Sequence, residues 1–156
     1  MLKGKVQSLF LRLILMNTIF ELIKPNADQI AILYELLKNR ENSISHEEMP
    51  SYSEHSQFIH NHPYRAWYLL YKKNTPIGSI YLMEDNSLGL SLNEVSKQLI
   101  LDIITQISSM HKPLPPLKSV RSKYFHLNVS PKNKQFMSIF TDIGLLHSQC
   151  TFVIKD

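Results

Sequence analysis

Residues 124–144, YFHLNVSPKNKQFMSIFTDIG, constrain the fold more than any other part of the chain. Residues 124–129 are aromatic and β-branched, the pattern of a buried strand. Ser130 offers a hydroxyl to cap a following helix, and Pro131 fits a first helical turn, where a missing N–H costs nothing. Phe136, Ile139, Phe140 and Ile143 then recur at helical spacing, and Gly144 suits the left-handed residue that closes a helix. A strand running directly into a helix N-terminus presents polar backbone groups to a ligand. An ordinary strand–helix joint has the same pattern, so the rest of the chain must decide between the two.

A chain of 156 residues, 44% hydrophobic and 19% charged, has room for one domain with a real core. The net charge of +4 favours an anionic ligand such as a nucleotide cofactor. The basic residues are scattered rather than clustered, which argues against a nucleic-acid partner. The single cysteine, Cys150, excludes an internal disulfide framework and a CxxC metal site, and its apolar neighbours read it as a buried small hydrophobe. His55, His60 and His62 cluster without metal-ligand spacing, so no metal is assigned. These features fit a cytoplasmic protein.

Residues 1–15, MLKGKVQSLFLRLIL, form an N-terminal extension to a domain of residues 16–156. Arg12 interrupts the apolar run, no small-residue cleavage site follows, and the run is too short for stable membrane insertion. It reads as an amphipathic helix packed on the domain or on another copy, as in a homodimer; Met16 is an alternative start.

Residues 18–23 read as a strand, and Asn26 with Gln29 as a capping box opening a helix over residues 27–39. Residues 40–53 are a polar loop, and residues 52–61 a second helix with Phe58 and Ile59 facing inward. Three short strands follow at 66–71, 77–83 and 88–92, separated by turns rich in Asn, Asp and Pro. Gly78 and Gly89 mark a bulge or a close backbone approach. Trp67, Tyr68 and Tyr81 read as core and cleft lining. The longest helix covers residues 94–110, with Ser91 and Glu94 as its capping box, and three prolines make residues 112–118 an extended linker. After the opening stretch, residues 147–154 read as a final strand with Phe152 and Ile154 on one face. The class is α/β or α+β: three layers, with helices on both faces of a mixed sheet of about six strands.

This order, and the strings HPYRAWYLLYKKNTPIGSIYLMEDNSLGL and LNVSPKNKQFMSIFTDIGLLHSQCTFVI, resemble the GNAT superfamily of N-acetyltransferases over residues 17–156. The second string is similar to that family's penultimate strand and last helix. The resemblance implies transfer of an acetyl group from acetyl-CoA, as co-substrate, to a small-molecule primary amine, including amino-sugar-type acceptors, by direct attack. It implies a cofactor cleft where the strand at 88–92 splays from the strand at 124–129. Leu90, Ser91 and Leu92 would line that cleft through exposed backbone. Asn128, Asn133 and Phe140 match further cofactor-facing positions, and Glu84 and His126 are the catalytic candidates for a base, with Asp85 and His46 as further ones.

Two departures accompany the match. The join SLNEVSKQL has no glycine where the family places a glycine-rich pyrophosphate loop, and Glu94 is expected in the first helical turn, where a carboxylate repels a diphosphate. Phe140 stands where many members carry a tyrosine that protonates the departing thiolate. The alternative reading is therefore a degenerate member that keeps the fold as a ligand-binding or protein-interaction module.

Overall fold

The structure, a computed structural model, describes residues 18–40 and 48–154. The expectations for residues 1–15 and for His46 lie outside the described residues.

The centre of the chain is a run of hairpins. β2 (Ala66–Lys72) and β3 (Thr75–Leu82) are joined by Lys73 and Asn74, both at positive φ (48° and 64°). That two-residue turn has the twist of the strands it joins. β3 continues into β4 (Ser87–Leu92) through a turn in which the Asp85 carboxylate accepts the Ser87 N–H at 2.8 Å. Asn86 takes φ 68° there, a conformation asparagine tolerates well. β1 (Thr18–Leu22) pairs antiparallel with β2, and β5 (His126–Asn128) adds parallel to β4. The result is a five-stranded mixed sheet in the order β1-β2-β3-β4-β5.

Alternation along β2 explains the layers. Tyr68 and Leu70 face one side, with Ile80, Leu82, Leu88 and Leu90, against α3 (Lys97–Met110) and α4 (Lys134–Asp142). Trp67 and Leu69 face the other, with Ile30 and Leu33 of α1 (Ala27–Lys38) and Ile59 of α2 (Tyr52–Asn61). Ile100, Ile103 and Ile107 of α3 are essentially unexposed, and each such side chain contributes about 1.5–3 kcal/mol. One polar link joins β1 to α3. The buried Asp102 carboxylate accepts the Thr18 hydroxyl at 2.6 Å and the Thr18 N–H at 3.2 Å.

Several expectations are corrected. The sheet has five strands rather than about six, because residues 147–154 pair with none of the described residues. An apolar run becomes a strand only where a sheet edge takes up its N–H and C=O groups; here Leu146, Phe152 and Ile154 are 92%, 90% and 95% exposed. Cys150, in the same run, is exposed as well. Phe58 is 41% exposed, and only Ile59 of the expected pair is fully inside. The Asn26 cap forms, its side chain accepting the Gln29 N–H at 3.0 Å. Gln29, however, does not complete a box: its carbonyl oxygen accepts the Lys24 N–H at 2.8 Å instead. The reciprocal box forms at α2, between Ser51 and Glu54.

Candidate active site

The cleft begins where β4 and β5 stop pairing. Their register runs Ser87–His126, Leu88–Leu127 and Gly89–Asn128, then ends. The Ser87 C=O accepts from Met83 at 2.9 Å and the Asn93 N–H donates to Ile77 at 2.8 Å, so odd-numbered β4 residues turn their backbone toward β3. Leu88, Leu90 and Leu92 turn theirs the other way, the side on which the Asn86 C=O accepts from His126 at 3.2 Å. Beyond Gly89 the C=O of Leu90 and the N–H of Leu92 therefore face a wedge with no strand opposite. The side chain of Leu90 lies in the α3/α4 core, so only its backbone can serve a ligand. Ser91 is half-buried and in register with Ser79 of β3.

Helix α3 opens at the wide end of this wedge, separated from β4 by Asn93, Glu94, Val95 and Ser96 alone. Its cap is Ser96, whose hydroxyl accepts the Leu99 N–H at 3.2 Å, and not Ser91, which stays in the sheet. This overturns the expected electrostatics. Glu94 lies outside the helix and pairs with Lys72 at 2.9 Å, and the first turn of α3 holds no acidic residue. Lys97 begins the helix, its ammonium reaching the Asp142 C=O at 3.3 Å. The N–H groups of Lys97 and Gln98 have no intrahelical acceptor, so the wide end carries positive potential. That end fits a diphosphate, although no glycine lets the backbone fold closely around one.

The second strand brings polar groups to the narrow end. Register partners in a parallel pair share a face, so His126 and Asn128 lie on the α1/α2 side with Ser87 and Gly89. Asn128 is exposed; His126 is half-buried, and its Nδ1 has no hydrogen-bond partner among the described residues. Burial alone would raise the Asp85 carboxyl, but the Ser87 hydroxyl and N–H, with His126 nearby, hold it below its ordinary value. Glu84, the other turn carboxylate, is exposed and makes no ion pair among the described residues.

Asn133 and Phe140 have structural duties. Asn133, rather than Ser130, caps α4: its side-chain oxygen accepts the Phe136 N–H at 3.0 Å. Ser130 stabilises the preceding turn, its hydroxyl accepting the Lys132 N–H at 3.3 Å, so Pro131 precedes the helix instead of opening it. Phe140 is 9% exposed in the core, its ring 5.5 Å from that of Phe136. Gly144 closes α4 at φ 82°, as the sequence predicts, with its N–H on Thr141 and that of Leu145 on Phe140.

Tyr81, which the sequence marks only as core or cleft lining, is closer to the cleft than its position in β3 suggests. It stands in register with Gly89, and its ring lies over that glycine so closely that a Cβ there would come within 2.0 Å of Cζ and 2.3 Å of the hydroxyl oxygen. Tyr64 stacks on it at 4.1 Å with the ring planes 5° apart. The signal was present in the hairpin: a tyrosine facing a glycine across a tight turn.

No family model matches the sequence, and no curated protein matches it significantly. Solved structures do match by shape. An acetyltransferase from Thermus thermophilus superposes with a TM-score of 0.59 at 15% identity, covering 83% of this chain and 87% of that one. An aminoglycoside acetyltransferase from an uncultured soil metagenomic sample, solved with sisomicin, gives 0.52 at 9% identity over 90% and 96% of the two chains. The spermidine/spermine N-acetyltransferase SpeG from Vibrio cholerae gives 0.50 at 16% identity over 82% and 78%. Among the described residues, five strands in this order, four helices and a parallel pair that splays after its third residue give this chain the fold of these solved acetyltransferases, the fold expected of a GNAT-like domain.

Proposed function

We propose that the chain is an N-acetyltransferase that takes its acetyl group from acetyl-CoA and gives it to a small-molecule amine. The observation that carries this is the wedge: parallel pairing stops at Gly89–Asn128, and the next β4 residues turn backbone groups into the gap. The amide-bearing arm of acetyl-CoA would complete that edge as an added strand. Its diphosphate would sit at the wide end, toward Lys97 and the α3 N-terminus. The names of two fold neighbours, for an aminoglycoside and for spermidine, support an amine acceptor, including the amino-sugar type.

The reaction needs little from the protein beyond positioning. The amine nitrogen attacks the thioester carbonyl carbon; the new N–C bond forms, the C–S bond breaks, and CoA leaves as a thiolate. The nitrogen then loses a proton. His126 is the base best placed for it, with an unpartnered ring nitrogen at the narrow end of the wedge and Asp85 beside it. Glu84, out in the turn, is the weaker candidate. Phe140 cannot protonate the thiolate, but a thiolate leaves readily, so alignment carries most of the acceleration.

Isothermal calorimetry with acetyl-CoA tests the reading. Saturable binding, followed by thioester consumption with an aminoglycoside or polyamine panel, is the expected result. Absence of heat at millimolar acetyl-CoA would sink it. The four-residue join without glycine favours a second reading, a binding module without turnover. Saturable binding with no thioester consumption across the panel would select that one.

A further inference from the structure

Resting on the acetyl-CoA reading, we propose that Tyr81 supplies a catalytic hydrogen bond: its hydroxyl meets the carbonyl oxygen of the reacting thioester at the narrow end of the wedge. The direction of the bound arm follows from the site's two ends. The anionic end belongs at the α3 N-terminus, which lies after Leu92, so the arm runs back along β4 and its acyl end arrives near Gly89. Tyr81 reaches that point from the neighbouring strand. Gly89 lacks the side chain that would keep it away, and its hydroxyl lies over the last residue pair before the strands part. Among the described residues its oxygen neither accepts nor donates a hydrogen bond. Asn128 shares that face and His126 lies two residues further in, which puts a hydrogen-bond donor and a base around one acyl position.

The stack fixes the geometry. Tyr64 lies flat on the Tyr81 ring, and Trp67 meets Tyr64 edge-on at 5.1 Å. Burial and the adjacent Tyr81 push the Tyr64 hydroxyl up to about 12, so Tyr64 stays protonated and is a support rather than a base. When the amine attacks, charge grows on the carbonyl oxygen, and a fixed O–H aimed at it stabilises that charge more than it stabilises the ground state. The proton stays on Tyr81 throughout; the tetrahedral oxygen collapses back to a carbonyl as the C–S bond breaks.

A tyrosine over a cross-strand glycine is also a packing device, and the hydroxyl separates the two roles. The test is nuclear magnetic resonance of acetyl-CoA labelled with carbon-13 at the thioester carbonyl, bound to wild type and to Tyr81→Phe. The phenylalanine keeps the ring, the stack and, by thermal melt, the fold. The expected result is a carbonyl resonance shifted downfield in the wild-type complex that returns toward its free position in Tyr81→Phe, with a dissociation constant changed less than about threefold, as for loss of one hydrogen bond at the acyl end. The same resonance in both complexes would overturn the proposal while leaving the acetyl-CoA reading intact. No binding to wild type would remove that reading, and the Tyr81 assignment with it.

Discussion

The two internal glycines of the hairpins do different work. At Gly89 a methyl group would strike the outer end of the Tyr81 side chain, which gives way more readily than backbone though only by disturbing its stack on Tyr64. At Gly78 it would come within 2.1 Å of the Ser91 carbonyl oxygen, which is backbone in the splayed half of β4. Gly78 also faces a β-bulge at Leu70/Tyr71, so the sheet is already irregular there. Gly78→Ala should therefore cost stability, about 1–3 kcal/mol as overpacking does, and displace the strand that lines the wedge. Gly89→Ala should cost less in stability but move Tyr81. Urea denaturation of both variants checks this, and an equal or reversed ranking would contradict it. At this scale the sequence named the two glycines and their close approaches without saying what would approach. The partner of each comes from cross-strand register, which depends on the Asp85–Ser87 turn more than on either glycine.

Elements were legible where the signal was local. The Asn26 cap, the turn after β2 and the Gly144 closure each depend on a few adjacent residues, and each forms as read. Two helix starts were misplaced for one reason: capping residues stood in competition. Ser91 and Ser96 are both able caps, as are Ser130 and Asn133, and tertiary pairing chose between them. Ser91 is held in the sheet opposite Ser79, so the helix waits for Ser96. The consequence reaches the candidate site, since it removes Glu94 from the helix and frees the first turn for an anion. Ser96→Ala should lose about 1 kcal/mol of stability, as removal of a cap does. Ser91→Ala should change it by less than about 0.5 kcal/mol. Chemical denaturation distinguishes them, and a larger loss at Ser91 would restore the longer helix. The final strand was illegible because a strand depends on its partner. The run SQCTFVIK has strand composition, yet no described edge receives it. The sequence marks Asn86 as a turn residue, and the structure adds a second role: its fully buried amide bonds Leu114 and Ser122, folding the proline-rich linker back so that β5 can join β4.

Across the whole molecule, the sheet separates two cores whose tolerance of charge differs. The α3/α4 side is largely apolar, broken at its margin by Asp102 and by His111, whose Nε2 lies 2.8 Å from the Tyr68 hydroxyl. The α1/α2 side holds histidines. His55 is 6% exposed, its ring 5.3 Å from Tyr34 and its Nε2 without a partner among the described residues. Burial lowers its pKa below the ordinary 6.5, and it lowers those of His62 and His111 as well, the last with help from Arg65. All three shifts have one sign. The folded state binds these protons more weakly than the unfolded chain, so the stability they carry is complete above about pH 6.5 and is lost as pH falls through their lowered folded values. The melting temperature should therefore hold nearly level from about pH 8 to about pH 7 and decline below about pH 6.5, before most carboxylates titrate. Asp85 and Glu54, both held low by hydrogen bonds from serine, add to the loss only in stronger acid. His55→Phe separates the contributions. It keeps an aromatic ring beside Tyr34 and removes a proton acceptor from an apolar site, so its melting curve should fall less steeply with acid than that of wild type. A melting temperature that rises between about pH 7 and about pH 5.5, or an unchanged slope in the variant, would show that His55 is not the buried neutral base the packing makes it.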